Sequence, residues 1–251
     1  MVDAADSKSA LSNRVLVRVQ SSAMKWIERF DLFLLDFDGL LVDTENVHYK
    51  AFQMLCDRYG YHLPWDFDTY IFSAHQVAGG IRAALYKEFP EIETKYEWES
   101  FYGEKKKIYL ELAQKEKFTL MPGVEPFLKQ LALSRKKRCV VTNSTKEQVE
   151  HIKYTLPILK TIPVWFTRED YDQPKPAPDG YFKAIEVLAD PGDKMVGFED
   201  SFKGIRSLEQ TPALPILICD PHHPQMKESV PGGAQHFPSF QKVSSALKPH
   251  I

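Results

Sequence analysis

The sequence is short of cysteine, of long apolar runs and of net charge, and each shortage excludes a class of protein. Cys56, Cys139 and Cys219 are the only three in 251 residues. They are odd in number, widely spaced and set among apolar neighbours. A disulfide framework or a zinc site would need closer, paired spacing, so buried reduced thiols in a cytoplasmic protein are expected. No apolar stretch is long enough to cross a bilayer, and no basic start, apolar run and small-residue site combine into a signal peptide. Lys and Arg number 32 against 34 Asp and Glu, a formal charge of -2. That balance leaves no electrostatic case for nucleic acid or an anionic membrane surface. A soluble monomer acting on a small molecule is the expectation. Residues 1–23 are rich in Ser and Ala and are expected to form a peripheral, disordered leader; Asp3 and Asp6 argue against a transit peptide.

What is present is organised around FDLFLLDFDGLLVDTE, residues 30–45. Leu32 to Leu35 is a short, dense apolar run of the kind buried on both faces of a parallel sheet. Asp36 and Asp38 follow at once, with Gly39 where the backbone must turn. Two like charges at the edge of an apolar core repel and lose hydration, so a cation or a shared proton is the usual reason for the pairing.

Helical patterning dominates the next 75 or so residues. Val47 to Tyr59 reads as one helix, Val77, Ile81, Leu85 and Phe89 mark a second, and Tyr96 to Gln114 a third. No strand signal interrupts them. An all-helical insertion after the first strand would stand over the strand ends as a cap, residues 45–121, on a core made of 24–44 and 122–251. Met121-Pro122-Gly123 returns the chain to that core, and a helix through Val124, Phe127, Leu128 and Leu131 follows. The basic cluster Arg135 to Arg138 reads as a solvated helix end leading into a buried strand. Strands at Cys139–Val141, Val164–Phe166, Met195–Phe198 and Ile216–Cys219 then alternate with helices from about Lys146, at Tyr181–Leu188 and at Phe202–Leu208. Val243 and Leu247 hint at a closing helix. Alternation of this kind predicts an α/β fold with a Rossmann-like parallel sheet.

Three further segments carry chemistry. Thr142 ends a strand before a helix, where a hydroxyl serves either as a helix cap or as a contact to an anion. Lys175 lies in YDQPKPAPDGYF, whose prolines can aim a lysine inward that would otherwise be solvated. Glu199 and Asp200 sit at a strand-to-helix junction in GFEDSFKGIRS; capping accounts for one acid, and a second calls for more.

In this order, LLDFDGLLVDTE, VVTN, KPAPD and GFEDSFKG resemble the four motifs of the haloacid dehalogenase superfamily. The helical insertion is most similar to the caps of the β-phosphoglucomutase and phosphoglycolate phosphatase subgroup. The resemblance implies an Mg2+-dependent phosphatase of a small phosphomonoester, a sugar phosphate or related metabolite, working through an aspartyl phosphate. Asp36 would be the nucleophile, Asp38 the general acid/base, and Thr142 and Lys175 would stabilise the transferring group. Asp36, the carbonyl of Asp38, Glu199 and Asp200 would hold Mg2+. Asn143, Thr44, His48 and Lys105 would position the substrate, its phosphate and the acid/base. The segment FSAHQVAGGIRAAL lacks the arginine spacing with which the mutase grips a second phosphate, offering His75, Gln76 and a later Arg82. Hydrolysis is therefore favoured, a phosphosugar mutase stands as the alternative, and a catalytically idle binding protein on the same fold is the alternative of another class.

Overall fold

The computed structural model describes residues 25–75 and 79–243, without the side chain of His75. The leader 1–23, Met24, Gln76, Val77 and the closing helix expected near Leu247 lie outside the described residues.

Six strands form one parallel sheet: β1 Leu32–Leu35, β2 Lys137–Val141, β3 Val164–Phe166, β4 Met195–Glu199, β5 Leu214–Ile218 and β6 Gln235–Phe237. Their order is β3-β2-β1-β4-β5-β6. The chain runs outward from β1 in one direction and then, at β4, in the other, which opens a crevice at the carboxyl ends of β1 and β4. All four β1 residues are fully buried. Phe33 and Leu35 face α6 (Val124–Ser134) and α7 (Lys146–Thr155), whereas Leu32 and Leu34 face α8 (Asp179–Leu188) and α9 (Phe202–Leu208). Helices on both faces explain why β1 is apolar throughout.

Between β1 and β2 lie α1 Glu45–Arg58, α2 Phe67–His75, α3 Gly80–Glu88, α4 Pro90–Lys95 and α5 Trp98–Ala113. The two crossings into and out of this helical segment run side by side. Val42 and Leu120 form an antiparallel bridge, Asp43 donates to the Thr119 carbonyl at 3.0 Å, and Met121 donates to the Leu41 carbonyl at 3.0 Å.

Several expectations are corrected. The second helix does not run on through Phe89: Pro90 fits only the first turn of a helix, so the chain breaks there and starts α4. The short helix α2, rich in aromatic and β-branched residues of low helix propensity, had no clear signal. The basic cluster does lead from a helix end, with Arg135 exposed, into a buried strand, but its last two residues are strand and not solvated helix. Helix α6 stops at Ser134, Arg135 turns in the left-handed region at φ 58°, and Lys137 and Arg138 already belong to β2. There Lys137 pairs with Asp190 and Asp193, and Arg138 donates to the Thr161 carbonyl. Strand β5 begins two residues before Ile216 and stops before Cys219, and β6 lies at 235–237, where no strand is expected because the sequence after Asp220 is rich in Pro, His and Gly.

Phe127 anchors the larger core, stacked on Phe240 at 4.4 Å and Trp26 at 5.9 Å and tilted against Phe198 at 5.7 Å. Phe127→Ala should cost about 3–5 kcal/mol in denaturant unfolding. On the same helix, Leu133 is 77% exposed, and Leu133→Ala should stay within about 0.5 kcal/mol.

Candidate active site

Asp36 is the first residue beyond β1, held by its N–H on the Phe198 carbonyl at 3.0 Å. The ammonium of Lys175 lies 2.6 Å from its Oδ1, 2.7 Å from Glu199 Oε1 and 2.7 Å from the Val141 carbonyl. One buried cation thus meets the ends of β1, β2 and β4. The loop carrying it is pinned rather than free. Gln173 donates its N–H to Asp179, Ser207 its hydroxyl to the Ala177 carbonyl, and Lys175 its own N–H to Asn143 Oδ1.

Asp38 sits among donors. Thr44 donates to Oδ1 at 2.8 Å; Ser144 and Thr142 donate to Oδ2 at 2.6 and 3.1 Å; His48 Nε2 is 3.6 Å from Oδ1. Burial alone would raise its pKa, but the His48 hydrogen bond and charge, with Ser144 and Thr44, outweigh it and bring the carboxyl down to about 2. Asp38 is therefore ionised at neutral pH. The other acids shift the opposite way. Burial raises Asp36 despite Lys175, raises Glu199 to about 7 with help from the Asp36 charge, and raises Asp200 well above the carboxylate range, the charges of Asp36 and Glu199 adding to it.

Ligand atoms of Asp36, Glu199 and Asp200 all lie within 4.8 Å of one another. Two details show that this crowding is built in. Glu199 is completely buried, its Oε1 taken by Lys175 and the Tyr181 hydroxyl while Oε2 has no partner among the described residues. Asp200 points at Gly39, whose φ is 75° and where a Cβ would come within 2.2 Å of Oδ2. An all-oxygen donor set with an orphaned buried carboxylate oxygen and mutually raised acids fits a hard divalent cation.

The remaining site residues fall around Asp38 and two adjoining cavities. A smaller cavity of 140 Å³ is lined by Asp36, Asp38, Asp200, Asn143 and Ser144 among others. A larger one of 420 Å³ extends from it beneath α1, α3 and α5, and Lys175, His48, Asn143, Lys106 and Lys203 line both. Thr44 is fully buried and its hydroxyl goes to Asp38. His48 stacks on Tyr109 at 4.2 Å, with Nδ1 2.6 Å from Lys105 Nζ. Lys105 is 1% exposed, over the faces of Phe52, Tyr102 and Tyr109; burial brings it down to about 7. It reaches Asp38 only through His48, and it also lines the larger cavity. Asn143 Oδ1 accepts from Tyr171 at 3.0 Å and from the Lys175 N–H, which leaves its NH2 for the cavities.

Sequence reasoning missed Ser144, Tyr171, Tyr181, Lys203 and Gln225. Ser144 had a signal, a second hydroxyl two residues after Thr142, and Lys203 stood inside the GFEDSFKG segment. Tyr171, Tyr181 and Gln225 had none, because their contacts span 18 to 29 residues.

Residues 33–211 match the model of the haloacid dehalogenase-like hydrolases. The chain belongs to this family. Protein CbbY of Rhodobacter capsulatus is 26% identical over 178 residues, 69% of this chain and 78% of that one. The phosphorylated carbohydrates phosphatase of Thermotoga maritima matches at the same identity and coverage. Among solved structures, CbbY from Rhodobacter sphaeroides in complex with phosphate superposes with a TM-score of 0.68 at 19% identity, over 85% of this chain and 96% of that one. The chain is accordingly a haloacid dehalogenase-like hydrolase, on a fold its solved relatives share.

The raised acids set the sign of a pH effect. Between the ordinary carboxylate range and about pH 7 the folded state holds protons that the unfolded chain releases, so stability without metal falls as pH rises. Asp38 contributes in the opposite sense only below its unfolded value, outside this window; Lys105, brought down to about 7, and His48, lowered by burial, oppose the acids inside it, and the three raised acids outweigh them. Chelator-treated protein should melt about 5 °C lower at pH 7.5 than at pH 5.5. Added MgCl2 should raise Tm more at pH 7.5 than at pH 5.5, and Asp200→Asn should remove most of that difference.

Proposed function

We propose that this enzyme is an Mg2+-dependent phosphatase of a small phosphomonoester, a sugar phosphate or related metabolite, and that it works through an aspartyl phosphate on Asp36. The observation that carries the reading is the pairing of Asp36, fixed by Lys175 at 2.6 Å, with Asp38, two residues on and tied to three hydroxyls. Helices over residues 45–121 act as a cap on a core of 24–44 and 122–251. The three buried free thiols support a reducing, cytoplasmic setting.

In the first half-reaction an Asp36 oxygen bonds to phosphorus, the ester P–O bond breaks, and the departing alkoxide takes the acidic proton that the ester brings into the site as its monoanion, relayed through the Asp38 carboxylate. Lys175 offsets charge on the phosphoryl oxygens, the Thr142 hydroxyl does so by turning its single O–H from Asp38 to the bound phosphoryl group, and the NH2 of Asn143 orients them. Asp36, Glu199, Asp200 and the Asp38 carbonyl would hold Mg2+, which when bound supplies charge neutralisation for the transferring dianion. In the second half-reaction Asp38, now ionised, takes a proton from water. That water attacks phosphorus, the bond to Asp36 breaks, and phosphate leaves. Thr44, Ser144 and His48 hold Asp38 in this ionised, proton-accepting state, which is why Thr44 and His48 are read as positioning the acid/base, with Lys105 acting through His48.

A panel of sugar phosphates, phosphoglycolate, nucleotides and p-nitrophenyl phosphate, assayed for phosphate release, should show turnover with Mg2+ and none with chelator. Asp36→Asn should abolish both turnover and labelling by acetyl phosphate. Asp38→Ala should lower kcat by about 10²- to 10⁴-fold yet still be phosphorylated by acetyl phosphate, whose leaving group needs no proton. Near-normal turnover by Asp36→Asn would place the nucleophile elsewhere.

A further inference from the structure

Lys175 holds the carboxylates of Asp36 and Glu199 directly. Asp200 is secured from behind, through its backbone, by a residue 25 positions further along the chain. Gln225 lies in the short turn Pro224–Lys227 that follows β5 and is 1% exposed. Its Nε2 donates to the Asp200 carbonyl at 2.5 Å, and its Oε1 accepts the Phe202 N–H at 3.1 Å. The second hydrogen of the amide faces Cys219 Sγ, 3.0 Å from Nε2. A carbonyl can be met only by the NH2 and an N–H only by the oxygen, so the amide has a single orientation.

The two backbone groups that Gln225 meets lie just past the ladder between β4 and β5, whose last pair is Glu199 with Leu217. Phe202 opens α9, so its N–H has no partner within the helix, and the Ser201 hydroxyl is spent on Gly204. One side-chain amide therefore presents a donor and an acceptor to this strand end as a neighbouring strand would. The pairing is carried one step beyond the sheet, to the turn that bears Asp200.

That turn is where relaxation would otherwise occur. Ligand atoms of Asp36, Glu199 and Asp200 lie within 4.8 Å of one another, and without a cation their charges repel. Asp36 and Glu199 are anchored by Lys175, whereas Asp200 is half-buried and has solvent to turn towards. Swinging the 200–202 turn outward would break both bonds to Gln225 and leave a buried amide, a carbonyl and an N–H unpaired. The relaxed arrangement is thereby disfavoured, and the acids stay close enough to share an ion.

We propose that Gln225 is a positioning residue for the divalent-cation site, fixing the 200–202 turn so that the Asp200 carboxylate stays beside Asp36 and Glu199 before the ion arrives. This inference rests on the reading of those three acids as the Mg2+ site.

The test is binding of the metal alone, with no substrate present. Free Mn2+, counted by its EPR signal, gives a dissociation constant for the wild type, for Gln225→Met, close in volume but unable to make either bond, and for Gln225→Asn, whose amide is one methylene short. Each variant should bind Mn2+ about tenfold or more weakly. The amount bound at saturation reads the folded fraction separately, and the Asn variant decides if the Met variant does not fold. MgCl2 should also raise Tm less in the variants than in the wild type at pH 7.5. A residue that only packs would lower Tm equally with MgCl2 and with chelator. Unchanged dissociation constants in folded variants, with Tm lowered alike in both conditions, overturn this inference alone. Mn2+ binding by the wild type that Asp200→Asn does not weaken overturns the reading of the acids as the metal site.

Discussion

Everything at the carboxyl edge of the sheet depends on one buried ammonium. Lys175 binds Asp36 beyond β1, the last carbonyl of β2 and Glu199 at the end of β4, three neighbouring strands. Buried charges of this kind add little net stability over an apolar core, and losing one partner strands the others at a cost of about 3–5 kcal/mol. The constraint therefore explains position better than strength. Asp36 is aligned because Lys175 is, and Lys175 is aligned because a proline-rich loop is tied down on both sides of it. Tyr181 and the close approach of Gly204, where a Cβ would collide with Glu199, complete the enclosure.

Two carboxylates separated by a single residue are thereby given opposite characters. Asp36 faces burial and other acids, and its charge is costly until a cation shares it. Asp38 turns into a ring of hydroxyls and an imidazole, and its charge is cheap. No difference in chemical type separates them; Phe37, fully buried between them, sends their side chains to different surroundings.

Much of this was legible from the chain alone, for physical reasons that also mark where legibility stopped. The buried strand Leu32–Leu35 and the acids after it announce themselves because a fully apolar run ending in charge has few solutions in a folded protein. Thr142, Lys175 and Asp200 were legible because each stands at a strand end or in a rigid loop with local sequence character. The basic residues Lys137 and Arg138 misled, since nothing local shows that Asp190, Asp193 and the Thr161 carbonyl would neutralise them in a strand. Gln225 escaped for the same reason. It is 1% exposed and joins the Asp200 carbonyl to Cys219 and Phe202, contacts that exist only once the chain has closed on itself. Helix α2 was lost to composition, because aromatic and β-branched residues packed on one side resemble strand as readily as helix.

The bridge between Val42 and Leu120 bears on mechanics. Two chain crossings that run side by side and share hydrogen bonds behave as one narrow ribbon rather than as two separate tethers. A ribbon resists shear along its length and stretching, and yields most easily by bending or twisting across its short axis. The helical segment is tied to the sheet by this ribbon and again where His151 meets the Ala113 carbonyl at 3.0 Å, so a rotation about the ribbon would have to part that second contact. Since the ribbon is continuous with Asp38 through Val42, any such rotation has its pivot within a few residues of the reacting carboxylates, so that groups on α3 and α5 would sweep through large arcs while those at the pivot scarcely move.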